Sequence, residues 1–151
     1  MKKKLLLLTL IILTLTTTGC TKEEKTICTK EEEQMIDKTT FITKKGKVKS
    51  VHTTYIYEKS AFGFENDKEL TESDKQTIKY SILSSFNLEE KEYKGLKIDI
   101  TFNEKIEIKI EVDLRKISQD TLHNMDFNIR NTNVDISNVI YSYELAEYSC
   151  K

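Results

Sequence analysis

A chain of 151 residues, 38% apolar and 32% charged, is the size of one compact domain, and this balance belongs to neither a membrane-embedded nor a disordered protein. Of its 24 basic residues three are Lys2, Lys3 and Lys4, while all 25 acidic residues follow Cys20, so from Cys20 onward 21 bases face 25 acids, formally −4. The lysines alternate with glutamates instead of forming a basic footprint, which argues against a nucleic-acid partner.

Lys2 to Lys4, the apolar run 5–15 broken by Thr9 and Thr14, and the small residues that follow have the three-part layout of an export signal over residues 1–19. The run is too short to span a bilayer, which takes about 20 apolar residues. Thr16-Thr17-Thr18-Gly19-Cys20 resembles the lipobox of bacterial lipoproteins, with Thr17 where leucine is usual and Leu15 two residues early. The resemblance implies cleavage before Cys20, a diacylglyceryl group on its sulfur, and tethering to the outer face of the cell membrane. The alternative is an ordinary secretory signal with an incidental cysteine. Two acyl chains matter because each buried methylene contributes about 0.8 kcal/mol and one chain binds only reversibly. Residues 20–26 then read as a lipidated, polar tether, and residues 27–151 as a single domain.

Once Cys20 is given to lipid, Cys28 and Cys150 remain. In an oxidising compartment they are expected to form a disulfide that staples the C-terminus to the first strand; two unrelated thiols is the other reading. No C-x-x-C spacing supports a thioredoxin-like or cysteine–zinc site.

Residues 26–43 are rich in β-branched side chains without a helical repeat and read as strand. Gly46 marks a tight turn, and residues 48–58 form a second strand with Val51, Thr53, Tyr55 and Tyr57 on one side and His52, Thr54 and Ile56 on the other. Thr71 or Ser73 caps a helix running from Lys75 to about Leu88, whose stripe is Ile78, Ile82, Leu83 and Phe86. After a charged connection punctuated by Gly95, Leu96, Ile98, Ile100 and Phe102, then Ile106, Ile108, Ile110, Val112 and Leu114, alternate with polar residues. That pattern predicts an antiparallel hairpin with one dry face and a solvated face of Lys105, Glu107, Lys109, Glu111 and Asp113. A short helix starts at Ser118, residues 124–133 read as a loop, and a last helix begins near Ser137. Together these predict an α+β fold: an antiparallel sheet of about four to five strands with two to three helices packed on one face.

No nucleophile elbow, zinc-protease pair, phosphate loop or calcium loop occurs, so no catalytic residue, metal ligand or cofactor is assigned. His52 and His123 are the sole histidines and the only base candidates for a hydrolase. The seven tyrosines could line a pocket, though core packing is their commoner use.

The lipobox, Ile27-Cys28-Thr29-Lys30-Glu31, the Gly46-Lys47-Val48 turn, the hairpin from Lys97-Ile98 to Leu114, the step Asp113-Leu114-Arg115-Lys116-Ile117-Ser118 and the final Tyr148-Ser149-Cys150-Lys151 resemble small YehR-like lipoproteins of low-GC Gram-positive bacteria. The resemblance covers most of the chain in order and layout. It implies a single α+β domain with an antiparallel sheet, and its two-cysteine arrangement is similar to that of a subset of the group; no activity comes with it. The expected function is a non-enzymatic envelope module holding another envelope protein or wall polymer. The alternative is a small-molecule-binding lipoprotein accessory to a membrane system, for which one small domain is short.

Overall fold

The computed structural model describes residues 22–125, 127 and 129–151; residues 1–19, expected to be an export signal, and Cys20 lie outside the described residues. Strands β1 (Glu24–Glu32), β2 (Met35–Lys44) and β3 (Lys47–Tyr57) form a meander. A 3-10 turn at Lys59–Phe62 leads to helix α1 (Glu72–Ser85) and the hairpin β4 (Leu96–Phe102) and β5 (Ile106–Asp113). Helices α2 (Gln119–Asn124) and α3 (Ile136–Leu145) and the strand β6 (Ser149–Cys150) complete the chain. The strands pair antiparallel in one sheet of order β4-β5-β3-β2-β1-β6.

The sheet therefore has six strands, not four to five. The stretch read as one strand over 26–43 folds back at Glu33 and Gln34, so that Glu32 pairs with Met35, and β6 adds a sixth strand by pairing with Cys28 and Thr29. Residues 24–26, expected to belong to a polar tether, are strand. Glu24 already pairs with Thr43, whose hydroxyl donates to the Glu24 carbonyl, and pairing in the ladder outweighs the polar composition of this stretch. Between β2 and β3 both Lys45 and Gly46 have positive φ, as a two-residue primed hairpin turn demands.

Sheet register lines up the inner side chains in rows. Leu96, Ile98, Ile100 and Phe102 on β4 face Val112, Ile110, Ile108 and Ile106 on β5, which continue to Val51, Thr53, Tyr55 and Tyr57 on β3. These meet Phe41, Thr39, Asp37 and Met35 on β2. One side of the sheet is thus aliphatic at the β4–β5 end and polar at the β2–β1 end. Helix α1 buries Ile78 and Ile82, and its C-cap Phe86 lies 6.0 Å from the Tyr55 ring; Tyr143 of α3 meets Phe41 edge-on at 5.1 Å. Leu122, Met125, Phe127 and Ile129 fill the remaining core. The opposite face holds exposed His52, Lys97, Asp99, Lys109 and Glu111.

Candidate functional site

Two places in this sheet collect chemistry, and they lie at its two ends. At the β1 end, Cys28 and Cys150 are joined by a disulfide across 122 residues of sequence. The backbone of Ile27 and Lys151 closes the same edge with reciprocal hydrogen bonds of 2.8 Å. Beside the bridge the Tyr148 hydroxyl donates to Asp37 Oδ2 at 2.5 Å, and Thr39 donates to Asp37 Oδ1 at 3.2 Å. Thr39 spends its one proton on Asp37, so Thr53, 3.0 Å away, donates to Thr39. Burial pushes the Asp37 carboxyl above its ordinary value against the pull of the Tyr148 and Thr39 hydrogen bonds. Burial, and then Asp37 itself, raises the phenols of Tyr148 and Tyr55. Asp37 is 1% exposed, so this wiring has no path for a substrate. Its chemistry is structural: it pins the segment after α3 to β2.

At the other end, β4 and the chain before it enclose a groove of about 860 Å³. Helix α1 is started by a capping box, in which the Thr71 side chain accepts from Asp74 N–H and the Asp74 carboxylate accepts from Thr71 N–H. Its end falls at Ser85, three residues short of Leu88, because Asn87 turns into the left-handed region. Leu88 N–H then donates to the Leu83 carbonyl at 2.9 Å and Asn87 N–H to that of Ser84 at 3.0 Å, a Schellman closure that brings Leu83 and Leu88 together as one apolar wall. The Asn87 amide holds the Asn124 carbonyl at 2.9 Å and ties this turn to α2. Tyr93 folds back so that its hydroxyl accepts from Glu89 N–H at 3.0 Å, and Lys79 pairs with Glu90 across the rim. The opposite wall is β4, with Leu96, Ile98, Ile100 and Phe102 half-buried.

Gly95 makes that wall possible. It has φ +80, and a Cβ there would stand 2.6 Å from Ile117 N, so β4 starts flush against the turn after β5. In that turn Arg115 Nε and Nη2 reach the Asp113 carboxylate at 2.8 and 3.0 Å, and the guanidinium holds Asp113 down at about 2. A second cleft of about 880 Å³ lies on the far side of residues 88–93, with Tyr80, 76% exposed, on its rim.

Of the residues singled out from sequence, Cys28 and Cys150 come together, and Cys20 lies outside the described residues. His52 and His123 are both exposed, one on a strand and one in α2, and no group of three metal-ligating side chains occurs among the described residues. Tyr143 is buried and Tyr55, Tyr57, Tyr93 and Tyr148 are half-buried in ring contacts or at the groove, while Tyr80 and Tyr141 face water. The groove and the Asp37 wiring have no motif; only Asn87 after an apolar stripe, the usual residue besides glycine for a left-handed helix end, is a local sign of the first.

The molecule is of the α+β class, with one antiparallel sheet covered by helices on one side. Among solved structures it is similar to the NMR structure of the E. coli YehR protein, with a TM-score of 0.65 at 12% identity over 87% of this chain and 92% of that one. It is also similar to the NMR structure of a protein from Streptococcus pneumoniae TIGR4, with a TM-score of 0.54 at 9% identity over 91% of this chain and 90% of that one. At these identities the likeness establishes a YehR-like fold. No family model and no curated protein matches the chain.

Proposed function

We propose that the protein is a lipid-anchored lipoprotein on the outer face of the cell membrane of a low-GC Gram-positive bacterium, acting without catalysis as a module that holds another envelope component. The observation that carries the binding part of this reading is β4: a seven-residue strand at the sheet edge, paired with β5 along its length and bridged on its outer side, among the described residues, only at Leu96 by Tyr93, with an apolar groove beside it. Such an edge offers main-chain hydrogen bonds for affinity and pockets for alternate side chains. Supporting the anchor are the lipobox resemblance at residues 16–20 and the Cys28–Cys150 bridge, which suits an oxidising compartment. No described helix is long and apolar enough to cross a membrane. With β1 starting at Glu24, only residues 21–23 separate Cys20 from the sheet. Three residues reach about 10 Å at full extension, so the domain would ride close to the headgroups.

Two measurements test this. The intact mass of protein extracted from its membrane should be that of a chain starting at Cys20 with a diacylglyceryl group in thioether linkage to its sulfur, and should gain about two hydrogens on reduction. A photo-crosslinker at Ile100 should capture a recurrent protein or wall polymer. An unlipidated mass removes the anchor, and capture of bulk lipid alone removes the binding edge. The second reading, a small-molecule binder, draws on the groove volume, which lies within the range of ligand sites; a stabilising compound in a thermal-shift screen would favour it.

A further inference from the structure

The strands run between two poles of the sheet, and their connections sort by sign the charges that alternate along the sequence. At the pole where β1 begins, Lys44 and Lys45 make the β2–β3 turn, Lys94 precedes β4, and Arg115 and Lys116 follow β5, all of them exposed. Lys22 and Lys25 flank the start of β1, and Lys47 and Lys49 open β3. Pairing puts these segments together: Glu24 lies opposite Thr43 and Lys44 opposite Lys47, while the Gly95 and Lys49 carbonyls accept from the N–H groups of Asp113 and Leu114 at 2.7 and 3.0 Å. The acids in the same segments are Glu23, Glu24 and Asp113, with Asp135 beside Lys47, so nine bases face four acids. Asp113 is engaged by Arg115 and Lys116 at 2.8 and 3.3 Å, and Asp135 by Lys47 at 2.8 Å. Lys22, Lys25, Lys44, Lys45 and Lys94 have no ion-pair partner among the described residues.

The opposite pole has the other sign. Glu31, Glu32 and Glu33 crowd the β1–β2 turn, Glu58 follows β3 and Glu104 sits in the β4–β5 turn, while Lys30 and Lys105 are held by Glu32 and Glu58 at 3.0 and 2.6 Å. The ten residues of β2 put about 30 Å between the poles, several times the Debye length of about 8 Å at physiological salt. A charged surface that touches one pole is therefore screened from the other. Where the chain leaves the domain decides which pole that is. The Arg115 guanidinium is raised above its ordinary value by Asp113 first and by Glu23 as well, which puts the residue before β1 near the turn after β5. Residues 21–23 reach about 10 Å, so a lipidated Cys20 holds the basic pole, and that pole alone, about one Debye length from the headgroups. At that range each lysine or arginine strengthens attachment to an anionic surface about fivefold.

We infer that the pole formed by the β2–β3 turn, Lys94 and the turn after β5 is a docking surface for anionic lipid headgroups of the membrane that carries the anchor. Docked there, the strands stand upright on the membrane, with the acidic pole outermost and the β4 edge facing sideways along its length. This deepens the lipid-anchored reading and rests on it, because the short tether is what selects the pole.

The test uses the full chain extracted from its own membrane, its intact mass read first, placed on vesicles of phosphatidylcholine alone or mixed with phosphatidylglycerol. A water-soluble acylating reagent labels lysine amines, and mass spectrometry reads each site. Labelling of Lys44, Lys45, Lys94 and Lys116 should be about fivefold slower on the mixed vesicles than on the neutral ones and should recover in about 1 M salt, where the Debye length shrinks to about 3 Å. Lys105, at the acidic pole, should keep one rate throughout. Lys44→Glu combined with Lys45→Glu should return Lys94 and Lys116 to the neutral-vesicle rate. Buried Lys59, whose Nζ donates to the Lys68 carbonyl at 2.7 Å, labels slowly in a folded chain and reports that the variant is intact. In a lipidated chain, equal rates on the two vesicles, slowing at Lys105 instead, or unchanged protection in the double variant overturns the docking surface and leaves the anchor standing. Protection by soluble poly(glycerol phosphate) without protection by anionic vesicles overturns the lipid surface in favour of a wall polymer. An unlipidated mass removes the anchor: the docking surface then stands by itself if anionic vesicles still cover the same lysines, and falls with the anchor if they do not.

Discussion

At one edge of the sheet β6 is two residues long and covalently bound to β1; at the other, β4 runs seven residues and is bridged on its outer side, among the described residues, only at Leu96 by Tyr93. The inner face changes in the same direction. Near β6 it carries Thr53, Thr39, Asp37 and Tyr148 in a hydrogen-bonded chain, and near β4 it carries only Leu, Ile, Val and Phe. A hydrogen-bonded polar cluster fixes one arrangement of the groups around it, because each buried donor or acceptor left unpaired is costly. An aliphatic face accepts any strand of suitable shape and alternation. One small sheet thus closes one edge against association and leaves most of the other available.

The largest effect should come from opening the closed edge. Replacing Cys28 and Cys150 by serine releases a loop spanning 122 residues, for which the chain-entropy model gives up to about 5 kcal/mol, read as a lower denaturant midpoint. Next is the entry to the open edge, where Gly95→Ala combines a positive φ with a close approach to Ile117 N. It should lower stability by about 3 kcal/mol and displace β4, seen as faster amide exchange along the strand. Tyr148→Phe removes one donor from buried Asp37 and should cost about 2 kcal/mol in equilibrium unfolding while leaving β4 untouched.

The smallest effect separates the two ends by pH. Asp37 has a raised value when folded, so its contribution is full below the ordinary value of 3.8 and is lost as pH rises through the raised value. Asp113, beside the open edge, is held down at about 2, so its contribution is full above 3.8 and is lost as pH falls toward about 2. Chemical denaturation across pH should therefore show Asp37→Asn flattening the slope above about pH 4, and Asp113→Asn flattening the slope between about pH 4 and 2. A slope changed in the same window by both variants would contradict these assignments.

Much of the fold is legible in the chain because its signals are local. The alternation of residues 96–114 makes β4 and β5, and Thr71 with Asp74 starts α1. Other features are legible only in three dimensions. The reversal at Glu33 and Gln34 has no glycine, proline or asparagine to announce it, and β6 is too short to show a period. Asp37 sits in a polar stretch and becomes a core residue through Tyr148, 111 residues away. The groove depends on Asn87 ending α1 early, and the openness of β4 depends on the order of strands in the sheet, which no stretch of the chain encodes alone.

Residue-resolved amide hydrogen exchange along both edges of the full chain tests the contrast most directly. Ile98 and Ile100 should exchange rapidly, while Ile27 and Lys151 stay slow. Slow exchange at Ile98 and Ile100, or equal protection at the two edges, would contradict it.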